Sequence, residues 1–490
     1  MSHVPNRSPR FLWSGATCVL SALVAGTAVA RTQPPAVAPA PAPAELANPP
    51  LPLALSPTQG LTLPQAMDQA EQHSYAVKTA QASARQADER VGETRGQLGP
   101  KFAVEGTDAI VDARANKLVG QILPNGTYVA PRVQSAAATI SQPLVGLGPL
   151  MLKLKADALN ADAASHTASY TKSEARLIGA GAFVRALKAA RLYGVAQASY
   201  ATVAKQKDDA RALERAGKLS SVDVMRLDLA LSEAQTQLIQ ARSTVDVAAL
   251  GLAEALGLPR DRAITLNAGT LARFEEQRRQ VPNLEQTMKN AADKRDDLHA
   301  ATLTVAAAEK LHQAAYFDYV PSVNGFARFE RNYAAIDINS PAMPPLIPTP
   351  LHYDKADIQD SVVYGLQLNW TIWDWNQRAH KLGEIAASVD KAQLARDALA
   401  SRLSVEVAQA HAELRYAYQA LGQARASVRF AEEVYRGMVL KFKNGLATTT
   451  DLIEAERDQT RARGTLWIAQ GDLDLAWLKF EQAAGEKVTL

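Results

Sequence analysis

Two proline-free stretches, Leu150 to Arg215 and Gln377 to Lys443, lead into the same short signature. The first is followed by Gly217-Lys-Leu-Ser-Ser-Val-Asp223-Val224, the second by Gly445-Leu-Ala-Thr-Thr-Thr-Asp451-Leu452. Glycine, small hydroxyl residues, aspartate and an aliphatic residue recur in order, about 228 positions apart. Within the first stretch Leu177, Phe183, Val184, Leu187, Leu192 and Val195 keep helical spacing. One helix of that length reaches about 95 Å at 1.5 Å per residue. Elements so long belong to coiled coils or bundles, and a glycine between two of them supplies the left-handed residue of a tight turn.

The same offset carries Ala255-Leu256-Gly257 onto Ala483-Ala484-Gly485, and Ile140-Ser-Gln-Pro143-Leu144 onto Leu368-Asn-Trp-Thr371-Ile372. A slightly smaller offset matches Gly99-Pro100-Lys-Phe102 with Val320-Pro321-Ser-Val323, which places a longer insert in the second copy. These landmarks predict two copies of one unit. Each copy starts with a helix (Leu63 to Leu98, Leu284 to Phe317) that a proline stops. A strand, a loop and a second strand follow, then two long helices around the glycine turn. The boundaries are 58–257 for the first repeat, 258–283 for a linker, 284–485 for the second repeat and 486–490 for a tail. The fold class is mainly α with a small β part.

The N-terminus reads as a secretory leader over residues 1–30. Arg7 and Arg10 form its basic start, Phe11 to Val24 its apolar stretch, and Ala28-Val29-Ala30 its small-x-small cleavage site. The only cysteine, Cys18, lies inside it, before the apolar stretch ends, so a lipid attachment site is not expected. Loss of the leader takes the formal charge from +3 to +1, which gives no reason to expect a nucleic acid partner. Residues 31–57 are rich in proline and alanine and read as an extended tether.

The strands decide whether the helices form a rod or a duct. In Tyr364 to Ile372 one face is Tyr364, Leu366, Leu368, Trp370 and Ile372; the other is Gly365, Gln367, Asn369 and Thr371. That alternation suits a lipid-facing barrel strand, apolar outward and polar inward. Trp370, Trp373 and Trp375, with Tyr364, read as an aromatic girdle at a membrane interface. Gln134 to Ser141 has the same phase. The first strands run Phe102 to Asp112 and Val323 to Tyr333, and the loops 113–132 and 334–360 are polar. Four strands cannot close a barrel, and an open edge in lipid is too costly, so several copies must close it together.

Phosphate-binding glycine loops, His-Glu-x-x-His, Cys-x-x-Cys and Gly-x-Ser-x-Gly motifs do not occur. The histidines lack ligand spacing. The reading is therefore not an enzyme, with no cofactor and no metal.

The duplicated order of helix, strand pair and helical hairpin with a Gly-x-x-[Ser/Thr]-x-x-Asp turn resembles the TolC-type outer-membrane efflux family over residues 60 to 487. The resemblance implies a homotrimer with a 12-stranded outer-membrane β-barrel continued by a periplasmic α-helical tunnel. It implies as partners a periplasmic adaptor protein, an inner-membrane pump (RND, ABC or MFS type) and outer-membrane lipid. By the same resemblance, Gly217, Leu219, Ser220, Gly445, Leu446 and Thr448 form the adaptor-docking tip. Asp451 and Glu454 share a helix face; the family places acids there around the tunnel entrance, where threefold repetition would raise their pKa values. Asp223 is retained with Arg226 beyond it, but the tyrosine and arginine of the usual entrance latch correspond here to Phe442 and Ala447. The function implied is an exit channel of a tripartite efflux system. Alternatives on the sequence are a channel for type I protein secretion and a periplasmic coiled-coil scaffold without a barrel.

Overall fold

The computed structural model describes residues 51–56, 58–110, 127–128, 132–259, 263–269, 281–335, 338–339 and 357–486. The leader, the tether up to residue 50, most of both hairpin loops, residues 260–262 and 270–280 of the linker and residues 487–490 of the tail lie outside the described residues.

In chain order the elements are β1 (Leu53–Ser56), α1 (Leu63–His73), α2 (Tyr75–Gly96), β2 (Lys101–Ile110), β3 (Thr127–Tyr128), β4 (Arg132–Val145), α3 (Leu147–Arg215) and α4 (Ser221–Leu256). Then come β5 (Ile264–Asn267), α5 (Leu284–Lys294), α6 (Asp296–Ala315), β6 (Ser322–Ala335), β7 (Ile338–Asn339), β8 (Asp357–Asn369), α7 (Gln377–Lys443) and α8 (Thr449–Ala483). The two long helices, α3 and α7, have 69 and 67 residues. Each forms an antiparallel hairpin with the helix that follows it.

The duplication extends to the hydrogen bonding of the helix ends. Gly217, Gly257, Gly445 and Gly485 all adopt positive φ, between 64° and 73°. At each, the next residue's N–H reaches back to the carbonyl five positions earlier: Lys218 to Leu213, Leu258 to Ala253, Leu446 to Lys441 and Glu486 to Glu481. These are Schellman ends, which only glycine enters without a Cβ penalty.

The first helix of each copy differs from the single helix expected. α1 and α5 are both 11 residues long, and both break at one non-helical residue, Ser74 and Arg295. Neither is proline or glycine. Ser74 caps α2 by accepting from the Val77 N–H, while Arg295 breaks the second copy with a buried guanidinium.

The main core lies where α1 and α5 cross the hairpins. Phe183 and Leu187 of α3, Leu252 and Leu256 of α4, Leu414 of α7 and Leu478 of α8 are fully buried there. Backbones approach closely: a Cβ on Gly179 would sit 2.4 Å from the Ala70 Cβ and 2.8 Å from the Ala66 carbonyl oxygen. Beside this core β1 pairs in parallel with β5, Leu53 opposite Ile264. The end of the expected tether is thus a strand. Its four residues recover ladder hydrogen bonds and bury Leu53, which a solvated proline-rich tether cannot do.

Candidate functional site

β2, β4, β6 and β8 form one antiparallel sheet in that order. Its register aligns one face across all four strands. Phe102 lies opposite Ile140, Ile140 opposite Ala327, and Ala327 opposite Tyr364; the next row is Val104, Ala138, Phe329 and Val362. Ile140 and Tyr364 therefore share a face, as their common phase predicts. Phe102, Val104, Tyr364, Leu366 and Leu368 are 63–80% exposed. From Val362 to Leu368 this apolar band covers about 20 Å of strand. Above it stands an Arg331–Asp360 pair with two 2.6 Å hydrogen bonds. The opposite face carries Lys101, Glu105, Ser141, Arg328 and Glu330, with Arg328 paired to both Glu105 (3.7 Å) and Glu330 (3.1 Å). A large exposed apolar face backed by a charged one marks a contact with lipid or another chain. The outer edges of β2 and β8 have no strand partner among the described residues.

β8 ends at Asn369, three residues short of the expected Ile372. Its partner β6 begins at Ser322, opposite Asn369, and the residue before it is Pro321, which has no N–H for the ladder. Trp370 to Asn376 thus form a separate junction. Trp373 and Trp375 meet edge to face at 5.7 Å, and Trp370, Ile372, Trp373 and Trp375 are all exposed. Tyr364 does not join them; it lies further up the strand, opposite Ala327. Trp375 and Asn376 both have positive φ, 55° and 65°, a strain of order 1 kcal/mol each. The turn is held by Arg378, which donates to Asp374 (2.6 Å) and to the Asp318 carbonyl (3.1 Å) and stacks over Tyr319. The first copy has nothing comparable: Gly146 alone links β4 to α3.

At the far end of the hairpins, both glycine turns stand in open space, with nothing within 4 Å of an added Cβ. Their glycines are required by backbone conformation, not by crowding. Ser220 and Thr448 are the helix N-caps that follow. The Ser220 hydroxyl accepts from the Asp223 N–H and donates to its carboxylate (2.6 Å); Thr448 and Asp451 repeat both contacts, and the Thr448 N–H donates to Asp451 as well (2.8 Å). The shared signature is therefore a complete helical turn: Schellman glycine, hydroxyl cap and capping aspartate.

Leu219 and Leu446 are not equivalent. Leu219 packs on a small core of Val203, Val224, Leu227 and Ile453, whereas Leu446 is 77% exposed. The offset pairs Leu446 with exposed Lys218, and Leu219 with Ala447.

Asp451 and Glu454 are both exposed on α8. The Thr448 hydroxyl and N–H hold the Asp451 carboxyl below the ordinary carboxylate range. Within one chain its shift is thus opposite to the rise expected from a crowded ring. Asp223 is lowered by the Ser220 hydroxyl and by Arg226, 3.7 Å away. Arg226 also donates to the Thr450 hydroxyl (3.1 Å) and so ties α4 to the start of α8. Further up, Glu233 and Arg457 pair across the same two helices.

Because both aspartates have depressed folded pKa values, their caps stabilise fully above the ordinary carboxylate pKa near 4. That contribution is lost as pH falls through the lowered folded values. The protection of the amides at 220–224 and 448–452, taken relative to the intrinsic exchange rate at each pH, is expected to hold above the ordinary carboxylate range and to fall as the pH drops below it. Replacing both caps, S220A with T448A, should weaken each turn by about 1 kcal/mol and give the lower protection already at neutral pH.

Residues 287–486 match the family model described as "Outer membrane efflux protein". The likeness covers 200 of the chain's 490 residues. Over 86–87% of the chain the fold is similar to that of solved outer-membrane proteins. CusC matches with a TM-score of 0.68 at 14% identity, covering 86% of this chain and 92% of that one. MtrE of Neisseria gonorrhoeae gives 0.66 at 16%, covering 87% and 89%. VceC of Vibrio cholerae gives 0.66 at 15%, covering 87% and 97%. No curated protein matches the chain significantly in sequence. The family match lies in the second repeat, and the likeness of fold extends through both copies.

Proposed function

We propose that the chain is the outer-membrane exit channel of a tripartite efflux system, extending from the outer membrane into the periplasm. The observation that carries this reading is the sheet: an exposed apolar face, a charged opposite face and two edges without a strand partner among the described residues. A free edge in lipid leaves backbone groups unsatisfied, so closure between copies is required. Three copies give twelve strands in a closed ring, with Arg328, Glu105 and Glu330 lining a wet interior. The exposed Trp370, Trp373 and Trp375 sit at the lipid interface on the periplasmic side of the barrel. The helical hairpins carry the duct onward to the two turns, where a periplasmic adaptor docks on Gly217, Leu219, Ser220, Gly445, Leu446 and Thr448. Asp451, Glu454, Asp223 and Arg226 stand at the entrance behind them. Transport through the duct is passive, and an inner-membrane pump supplies the energy.

The test is fractionation followed by reconstitution. The expected result is a protein that leaves the membrane only with detergent, cross-links as a trimer and conducts ions in planar bilayers. Release into water without detergent would overturn the channel and leave a periplasmic scaffold. D451A with E454A should relieve block of the current by multivalent cations; unchanged block removes both acids from the entrance.

A further inference from the structure

Just below the sheet, the start of α3, the end of α6 and the start of α7 enclose a groove of about 430 Å³. Its walls are apolar, with Leu150 from α3, Leu311 from α6 and Ile385 from α7. Lys153 of α3 and Lys381 of α7 also line it, as does Asp318. Neither lysine has an acid within ion-pairing distance among the described residues. Arg378, one turn before Lys381, is by contrast fully engaged by Asp374 and the Asp318 carbonyl. The groove therefore combines an apolar floor with two uncommitted cations.

The side of the wall on which it opens follows from Leu150. That residue also lines a neighbouring cavity of about 380 Å³ formed with Lys101, Phe326 and Gln367. These belong to the sheet face opposite Tyr364, Leu366 and Leu368. The groove thus continues the polar face of the sheet, not the lipid-facing one, and in a closed barrel it opens to the lumen.

We infer that this groove is a lumenal binding site for amphipathic organic anions. A rigid apolar body lies between Leu150, Leu311 and Ile385, and its anionic group lies between Lys153 and Lys381. Apolar walls with a few convergent charges are the usual makeup of a small-molecule site, and an ammonium–anion contact is stronger away from bulk water. Asp318 leaves the groove one net positive charge, which suits a monoanion and disfavours a second negative group. The inference rests on the channel reading, because that reading makes the polar face a lumen.

The test uses full-length protein in planar bilayers with 1-anilinonaphthalene-8-sulfonate as probe. The probe is expected to block the wild-type current. K153Q with K381Q should raise the blocking concentration by about tenfold, as for loss of a charge-assisted contact, with conductance retained. L311W, which fills the groove, should weaken the block likewise. The uncharged analogue N-phenyl-1-naphthylamine should act equally on wild type and K153Q/K381Q. A conducting wild type that the probe does not block, or block unchanged by K153Q/K381Q, overturns the groove and leaves the channel standing. A protein that forms no conducting pore removes the barrel, and the groove with it.

Discussion

Leu366→Arg is expected to keep the chain out of the outer membrane. Leu366 sits in the middle of the apolar band of β8, opposite Gly325, and is 71% exposed in the single chain. A charge at the midplane of a barrel's lipid face costs about 2–4 kcal/mol, and a ring of identical copies incurs that cost once per copy. The variant should accumulate as soluble or aggregated material and lose the detergent-resistant trimer. Gln367→Arg is the control, because its side chain lies on the opposite face, beside Lys101 and Phe326. It should insert normally and change only the conductance. Equal insertion of both variants would mean that the sheet does not face lipid.

The second large effect is expected at Arg295, in the break between α5 and α6. Its guanidinium is 3% exposed, donates to Asp297 (2.6 and 2.9 Å) and to Glu406 (3.0 and 3.4 Å), and lies over the Tyr170 ring at 5.1 Å. Burial opposes its charge, but the two carboxylates outweigh burial and hold its pKa above the ordinary value. Burial also pushes Tyr170 up to about 12, against the pull of Arg295. Arg295→Ala leaves Asp297 and Glu406 without their cation. Removing one partner of a buried pair costs about 3–5 kcal/mol, and the partial exposure of Glu406 puts the value at the low end. The thermal midpoint of the solubilised protein should fall by several degrees. Arg295→Lys should recover only part of that loss, since an ammonium cannot fork to both acids and stack on the ring. An unchanged midpoint in Arg295→Ala would show that the cluster carries no stability.

What could be read from the sequence followed the range of the forces involved. The duplication was legible because glycine ends, hydroxyl caps and proline stops act over a few residues. Thus Gly217, Ser220 and Asp223, and their counterparts Gly445, Thr448 and Asp451, have the local geometry that the signature implies. The strand phases were legible for the same reason, since alternation is a two-residue period. The pairing of β1 with β5 was not: Leu53–Ser56 follows a proline-rich run and finds its partner some 200 residues later. The breaks at Ser74 and Arg295 also escaped, because no helix-breaking residue marks them; tertiary packing sets them. At the tip, the acids were legible as acids, but their work as helix caps shows only once Ser220 and Thr448 are seen to hold them. Leu219 and Leu446 are misaligned with respect to the repeat, which places them on different positions of the same turn.

That misalignment has a consequence for assembly. The turns at Gly217 and Gly445 have one backbone shape, yet Lys218 stands on the first where Leu446 stands on the second. In the proposed ring of three chains these turns would alternate around the rim, charged then oily, and the end of the duct would be sixfold in outline but threefold in chemistry. An evenly repeating hexameric collar would match only every other turn. A collar that fits every turn must be built as three pairs, with one member of each pair facing the lysine and the other facing the leucine.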